Sequence, residues 1–399
     1  MRRPTPHRLL RYVRQGLRLR RYLQRPGDGR RLPQIPAHAM LWAMILGQIL
    51  RASSFHALES LVRSGRRRRL ACGSSQFGND ALGYLTERLD PTPTRRAAIQ
   101  IARQAKRNKA FQNSAFLGLA LDGTTAGRSQ QKRCDLCRPW RHSGRDEIAG
   151  YRHHLVMLSV VGTGLSLPID VEPYGPKNSE YAAGQRLLRR NMPQLGPRFA
   201  DYLVVDGKYA TAPFLHVCED LGLPVVARLK GNLPELFHSA QKRFSQQPAK
   251  LSLRFARDRV QVWDADDFDP WENLRWSTVR VLYYRQHKPD GGLIEAYWLT
   301  NLSPKRISTR SLFRMAKSRW EIQNQGFNEA KTQHQLEHIC HHHDNSILIV
   351  WLLTALALAI ERLYRLRYLH RGSHPQLSAI QLSRLLWLNL ARSFSPSSS

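Results

Sequence analysis

The chain has 399 residues, and its 62 Lys and Arg against 30 Asp and Glu give a net charge of +32. An excess of that size repels itself unless a polyanion or solvent absorbs it, so nucleic acid is the first candidate partner and an anionic membrane surface the second. Hydrophobic residues at 42% exclude a wholly disordered chain, and five cysteines in so long a chain argue against a disulfide framework and fit a reducing cytoplasm.

Residues 1–35 are basic and punctuated by Pro and Gly. Apolar teeth at Leu9, Leu10, Tyr12 and Val13 predict a helix with one solvated or phosphate-facing side. Charge is scattered along this stretch, so a secretory signal is not expected. From Pro36 to Leu89 apolar residues recur three and four apart, which predicts helices, with the run Arg66 to Arg69 in a loop among them. Thr94, following Pro91 and Pro93, is expected to cap a further basic helix. Residues 1–110 therefore read as a helical, basic region, either a grip on a DNA duplex or a cap on the main core.

The pattern then changes. Ala115–Leu121 reads as a buried strand ending in Asp122-Gly123. Leu155–Val161 and Leu165–Val171 read as strands joined by a Gly162-Thr163-Gly164 turn. A helix is expected from about Glu180 to Asn191, then a buried strand, Tyr202–Val205, ending in Asp206-Gly207. A helix from Tyr209 to Leu221 and a strand from Pro224 to Arg228 complete a mixed α/β pattern over 111–229. Residues 230–302 read as β-rich, with a hairpin turn at Pro289 to Gly292. The aromatics Trp263, Trp271, Trp276, Tyr283, Tyr284, Tyr297 and Trp298 crowd this stretch, as sheet packing first and base-stacking platforms second. Within 303–370, one long helix is expected from Ser308 to about Lys331 and another from Asp344 to Tyr368. The apolar run Ile347 to Ile360 is short for a bilayer and reads as a buried helix. Residues 371–399 read as a partly disordered tail.

Two strands that end alike place Asp122 and Asp206 at one sheet edge. Carboxylates so placed repel unless a hard cation lies between them. Paired Mg²⁺ ions held there could activate water and stabilise the leaving oxygen of a phosphodiester. For either Asp-Gly alone, an ordinary turn is the alternative. Cys134 and Cys137 have zinc-knuckle spacing, with His142, His153 and His154 downstream. No second CxxC completes a tetrahedral set, so the expectation is a pair of loop cysteines rather than structural zinc. The cluster from His338 to Asp344 reads as a polar loop, and His334 with His338 lacks the HExxH pattern.

On these residues the sequence resembles the DDE transposases of bacterial insertion sequences, in the group with a β-rich insertion between the second and third acids. The matching stretches are Ala120 to Thr124, Val205 to Tyr209 with Phe214, and Arg319 to Lys331 followed by Leu336-Glu337-His338. Residues 177–187 and Cys134 to Cys137 are also similar to family segments, and the resemblance covers roughly 115–360. It implies an RNase H-like mixed sheet flanked by helices, with a β-rich insertion and an N-terminal helical basic region. It further implies Mg²⁺- or Mn²⁺-dependent DNA cleavage and strand transfer. The implied partner is double-stranded DNA, both transposon ends and target, engaged by a homodimer in the bacterial cytoplasm at the nucleoid, with no membrane role. Asp122 and Asp206 would be metal ligands, and Arg319, Lys331, Lys208 and Tyr209 would contact DNA.

At the third catalytic position the chain departs from the family: Gln323 stands where a Glu is expected, and Ala316 where a Tyr is usual. On a regular helix Arg319, Gln323, Phe327 and Lys331 form one row. Glu321 and Glu329 lie about 200° and about 240° from position 323, so neither shares its face on a regular helix, and Glu321 stands behind Gln323 itself as the substitute for the third acid. The expected function is transposase, and the alternative is an impaired or domesticated descendant that binds DNA without efficient cutting.

Overall fold

The computed structural model describes residues 5–64, 76–112, 114–369 and 377–392. The Arg66 to Arg69 run and the Ser-rich end from Ser393 lie outside the described residues.

The N-terminal part is helical. Helix α1 (Pro6–Arg11) starts at Thr5, whose hydroxyl accepts the Arg8 N–H, with Pro6 in the first turn where its missing N–H costs nothing. A π-turn, Tyr12–Gly16, leads to α2 (Leu19–Leu23), α3 (Ala37–Ile49), α4 (Phe55–Arg63), α5 (Asn79–Arg88) and α6 (Thr92–Arg107). Leu9, Leu10, Tyr12 and Val13 are all buried, and the Tyr12 ring packs 5.7 Å from Tyr364 and 5.4 Å from Tyr368. Thr94 does not cap the last of these helices. The helix starts two residues earlier, with the Thr92 N–H held by Asp90 at 2.9 Å, and Thr94 is buried within it.

The sheet then forms from β1 (Gly118–Ser129), β2 (Arg138–Trp140), β3 (Gly150–Val161) and β4 (Leu167–Tyr174). Helix α7 (Glu180–Leu195), β5 (Tyr202–Val205), α8 (Ala212–Asp220) and β6 (Val225–Leu229) follow. Strands β3 and β4 are antiparallel to their neighbours, whereas β5 runs parallel to both β1 and β6. The resulting order β4-β3-β1-β5-β6 is the RNase H-like arrangement.

The β-rich stretch begins with a helix that its strand-like reading hides, α9 (Pro234–Ser245). Proline stands in its first turn, and Leu236, Ala240 and Phe244 share its buried side. Strands β7 (Leu251–Phe255), β8 (Asp258–Phe268), β9 (Val279–His287) and β10 (Leu293–Thr300) follow. They continue the core sheet, because β10 pairs antiparallel with β6. The Pro289 to Gly292 turn joins β9 to β10, with Gly291 at φ 84° and the Lys288 N–H on the Gly292 carbonyl. Most of the aromatics here are packed into the sheet. Tyr283 stacks on Tyr297 at 4.2 Å and meets Trp263 at 4.8 Å.

The C-terminal part comprises α10 (Thr309–Glu321), a π-helical segment Ile322–Phe327, α11 (Asn328–His334), α12 (Asp344–Tyr368) and α13 (Ala379–Arg392). Side chains alternate across a strand. In β1, Leu119 and Leu121 join the larger core with α7, whereas Ala120 joins Val204, Met315 and Ala316 under α10. That pleat decides where the acids point. Asp122 and Asp206 share the parity of Ala120 and Val204, and so face α10.

Helix α12 is long and apolar enough to cross a membrane by length and composition, but 94% of its most apolar window is buried inside the protein. It is apolar nearly all round because it is packed on most sides, against β4 and α3 among others. The expected tail contains α13, whose Leu382 and Leu386 are buried in the core.

Burial also makes stability depend on pH. Burial pushes His154 down to about 4, helped by the positive charges of Arg138, Arg152, Lys208 and Lys331. Burial likewise holds His334 far below the usual imidazole range. Glu361 moves the other way, raised by burial to about 7 against the pull of Arg51. A depressed histidine contributes stability above its unfolded value, near pH 6.5, that is lost as pH falls towards 4. A raised carboxyl opposes this by losing stability as pH rises towards 7. His153 and His342 are lowered by burial too, and Asp122 and Glu321 are raised by it. Four depressed histidines then stand against three raised carboxyls, and the urea midpoint is expected to fall between pH 6.5 and pH 4.5. A midpoint that holds or rises would contradict this sum.

Candidate active site

The register sets the site. Leu121 pairs with Val205 across the parallel β1–β5 ladder, so Asp122 and Asp206 are the next residue on each strand. Only β5 ends there. Strand β1 does not stop at Asp122, as the Asp-Gly signal implied, but runs on to Ser129 against β3.

Asp122 is 7% exposed. Its Oδ2 accepts from Arg319 Nη1 at 2.9 Å and from Gln323 Nε2 at 3.0 Å, and its Oδ1 accepts the Gly123 N–H at 3.0 Å. Burial raises its pKa, because the charged carboxylate is taken out of water. Arg319 and Gln323 pull it down, Glu180 adds a like charge that pushes it up, and the net shift is upward. Asp206 accepts from Lys230 Nζ at 3.2 Å. Burial alone would raise it, but the Gly207 N–H, Arg319 and Lys230 together outweigh burial and hold it below the usual range. Arg319 therefore lies in the field of both acids.

Arg319 of α10 and Gln323, the second residue of the π-helical segment that continues it, stand four apart and reach the same oxygen. Beyond them the row breaks. The wider π-turn starts at Ile322 and resets the phase of the residues after it. Phe327 is buried, and Lys331 pairs with Glu337 at 3.1 Å. Neither nearby acid on this helix reaches the site. Glu321 Oε2 accepts the Gly162 N–H at 2.9 Å in the β3–β4 turn, and burial raises its carboxyl. Glu329 pairs with Arg362 at 2.6 Å and Arg365 at 3.6 Å.

Of the remaining expected residues, Lys208 is exposed, with its Nζ 3.5 Å from Glu180. Tyr209 lies almost wholly below the surface, at the wall of a cleft that Lys208 also lines. It is 1% exposed, with its ring 4.9 Å from Phe214 and packed against Gly184.

Two site residues escaped sequence reasoning. Lys230 follows β6 and carries no pattern that marks it. Glu180 does have a signal: Ser179 caps α7 by accepting the Ala182 N–H at 3.1 Å, which puts an acid in the first turn beside the sheet edge. Its carboxyl lies against Gly123, where an added Cβ would fall 2.5 Å from Glu180 Cδ. Glu180 also lines a cleft of about 530 Å³ with Arg138, Arg152, Lys208, Trp140 and His154. Three cations line it, and the charge of Lys331 also acts on His154.

The cysteine pair departs from expectation as well. Cys134 and Cys137 are joined by His153 of β3 and by His342, 205 residues beyond Cys137 in the chain, so four donor atoms lie within 4.8 Å of one another. His142 and His154 stay outside this group.

A family model for the transposase DDE domain matches residues 114–360. No curated protein matches the chain. Among solved structures, a piggyBac transposase synaptic complex with hairpin DNA, determined by cryo-EM, is similar at a TM-score of 0.46 and 12% identity, over 98% of this chain and 82% of that one.

Proposed function

The chain belongs to the transposase DDE-domain family, and we propose that it binds the duplex ends of a mobile element through its basic surface while cutting them only weakly. The family uses divalent metal ions. Asp122 and Asp206 offer two carboxylates on adjacent strands, an oxygen donor set that fits one Mg²⁺ or Mn²⁺ ion. Bound there, the ion would polarise a phosphoryl oxygen and acidify a water. Arg319, with its planar fork already on Asp122 and its charge acting on Asp206, is placed to take a phosphate oxygen of the scissile strand. Lys208, Arg138 and Arg152 supply the flanking positive surface. The working compartment would be the bacterial cytoplasm at the nucleoid.

One observation carries the reading of weak cutting. The Gln323 side chain donates a hydrogen bond to Asp122 where a third carboxylate would add a charge. The two acids of the same helix are committed to the Gly162 turn and to Arg362. A second reading makes Glu180 the third carboxylate, supported by its position against Gly123 and its field on Asp122.

Gel-shift and cleavage assays on duplexes bearing the element's ends test both readings. Binding is expected to weaken by about 10³ or more between about 50 and 200 mM salt, with little nicking in Mg²⁺ or Mn²⁺. Salt-insensitive binding would overturn the DNA reading. Rapid cleavage that disappears in Glu180→Gln would favour the second.

A further inference from the structure

We propose that Cys134, Cys137, His153 and His342 form a structural Zn²⁺ site, separate from the acidic site and independent of whether this chain cuts DNA. Among the described residues, these four make the one group of three or more His, Cys, Asp or Glu whose donor atoms lie within 4.8 Å of one another. The three separations among Cys134, Cys137 and His153 fall within about 0.4 Å of the edges of a zinc tetrahedron. With Zn–S near 2.3 Å and Zn–N near 2.05 Å, its S···S edge is about 3.8 Å and its S···N edges about 3.6 Å. Here the sulfurs are 3.6 Å apart, and His153 Nε2 lies 3.2 Å from Cys134 Sγ and 3.4 Å from Cys137 Sγ.

Two thiols and two imidazoles, with no carboxylate, select zinc over the hard cations that suit Asp122 and Asp206. Cys137 and His153 are fully buried, and His342 Nδ1 is buried with no hydrogen-bond partner. A buried ring nitrogen left alone costs free energy unless something else satisfies it. Both cysteines are free, with the sulfurs 3.6 Å apart rather than bonded. On binding, both thiols release their protons to solvent and both rings remain neutral, so the +2 ion and two thiolates form an uncharged centre that a dry interior tolerates.

The site would join segments that do not adjoin in sequence. Cys134 and Cys137 lie in the loop after β1, the strand that carries Asp122. His153 lies on β3, and His342 on the segment that leads from α11 into α12. Gly127 of β1 already packs against Ile339 of that same segment. A bound ion would therefore pin the chain beyond the Arg319–Gln323 helix to the sheet that presents the acids.

Elemental analysis of the full chain, expressed with added zinc and freed of loose metal, is expected to give about one zinc per molecule. Cobalt-loaded chain is expected to show the intense visible bands of tetrahedral Co²⁺ and a thiolate-to-cobalt charge-transfer band. The variants Cys134→Ser and His342→Ala should each lose the zinc. Should those variants fail to fold, the cobalt spectrum of the unmodified chain still decides the question. Folded wild-type chain without zinc, cobalt loading without a thiolate band, or a Cys134–Cys137 disulfide in the isolated chain would each overturn the proposal.

Discussion

An Arg362→Ala chain is expected to be about 3–5 kcal/mol less stable than wild type, the range for breaking a buried ion pair from one side. Arg362 is 3% exposed on α12. Its guanidinium pairs with Glu329 at 2.6 Å and donates to the carbonyls of Ser166 and Gln325. It thus ties α12 to three places at once: the β3–β4 hairpin, the π-helical segment and α11. Removing it leaves a carboxylate and two carbonyls facing one another without donors, in a cavity where water enters poorly. Arg362→Lys should recover only part of the loss, because one ammonium cannot reproduce the divergent fork. Urea unfolding followed by circular dichroism checks this, with the expected loss read from the midpoint at unchanged slope. A loss under about 1 kcal/mol would show that Glu329 finds Arg365, 3.6 Å away, an adequate replacement.

Gln323→Glu is expected to raise metal-dependent DNA cleavage by about 100-fold or more, equivalent to about 2.7 kcal/mol of barrier. Loss of partners that only orient metal ligands costs 10–100-fold, so a missing charged ligand should cost no less. The substitution also carries a signature apart from rate. In metal-free protein a third carboxylate beside Asp122 and Asp206 adds repulsion that Arg319 offsets only in part, so stability should fall slightly. Added Mn²⁺ should reverse that loss and bind more tightly than to wild type, as calorimetric titration would record. Unchanged metal affinity would mean that residue 323 does not face the ion.

Where fold and sequence agree, the reason is local. Tyr202–Val205 is buried on both faces and bounded by Asp-Gly, and such a run reads as a strand without further context. The hairpin at Gly162 to Gly164 is legible because two glycines take positive φ there. Where they part, the deciding contact is remote. Asp122 lies within β1 because the antiparallel partner β3 extends past the end of the parallel partner β5. Helix α9 is disguised by the strands after it, although Leu236, Ala240 and Phe244 have helical spacing. Helix α13 is masked by the Ser-rich residues beyond it. The π-helical segment breaks the row that Gln323 shares with Lys331, and no spacing rule foresees that break. The Cys-His cluster is illegible for a simpler reason: folding alone brings His342 to a cysteine pair two hundred residues earlier.

Single-turnover cleavage of an end-bearing duplex in Mn²⁺, compared between wild type, Gln323→Glu and Gln323→Glu with Asp122→Asn, tests most directly whether residue 323 limits this transposase. Slow cutting by wild type, a gain of about 100-fold in the single variant and none in the double is the expected result. Wild-type cleavage as fast as that of Gln323→Glu would contradict it.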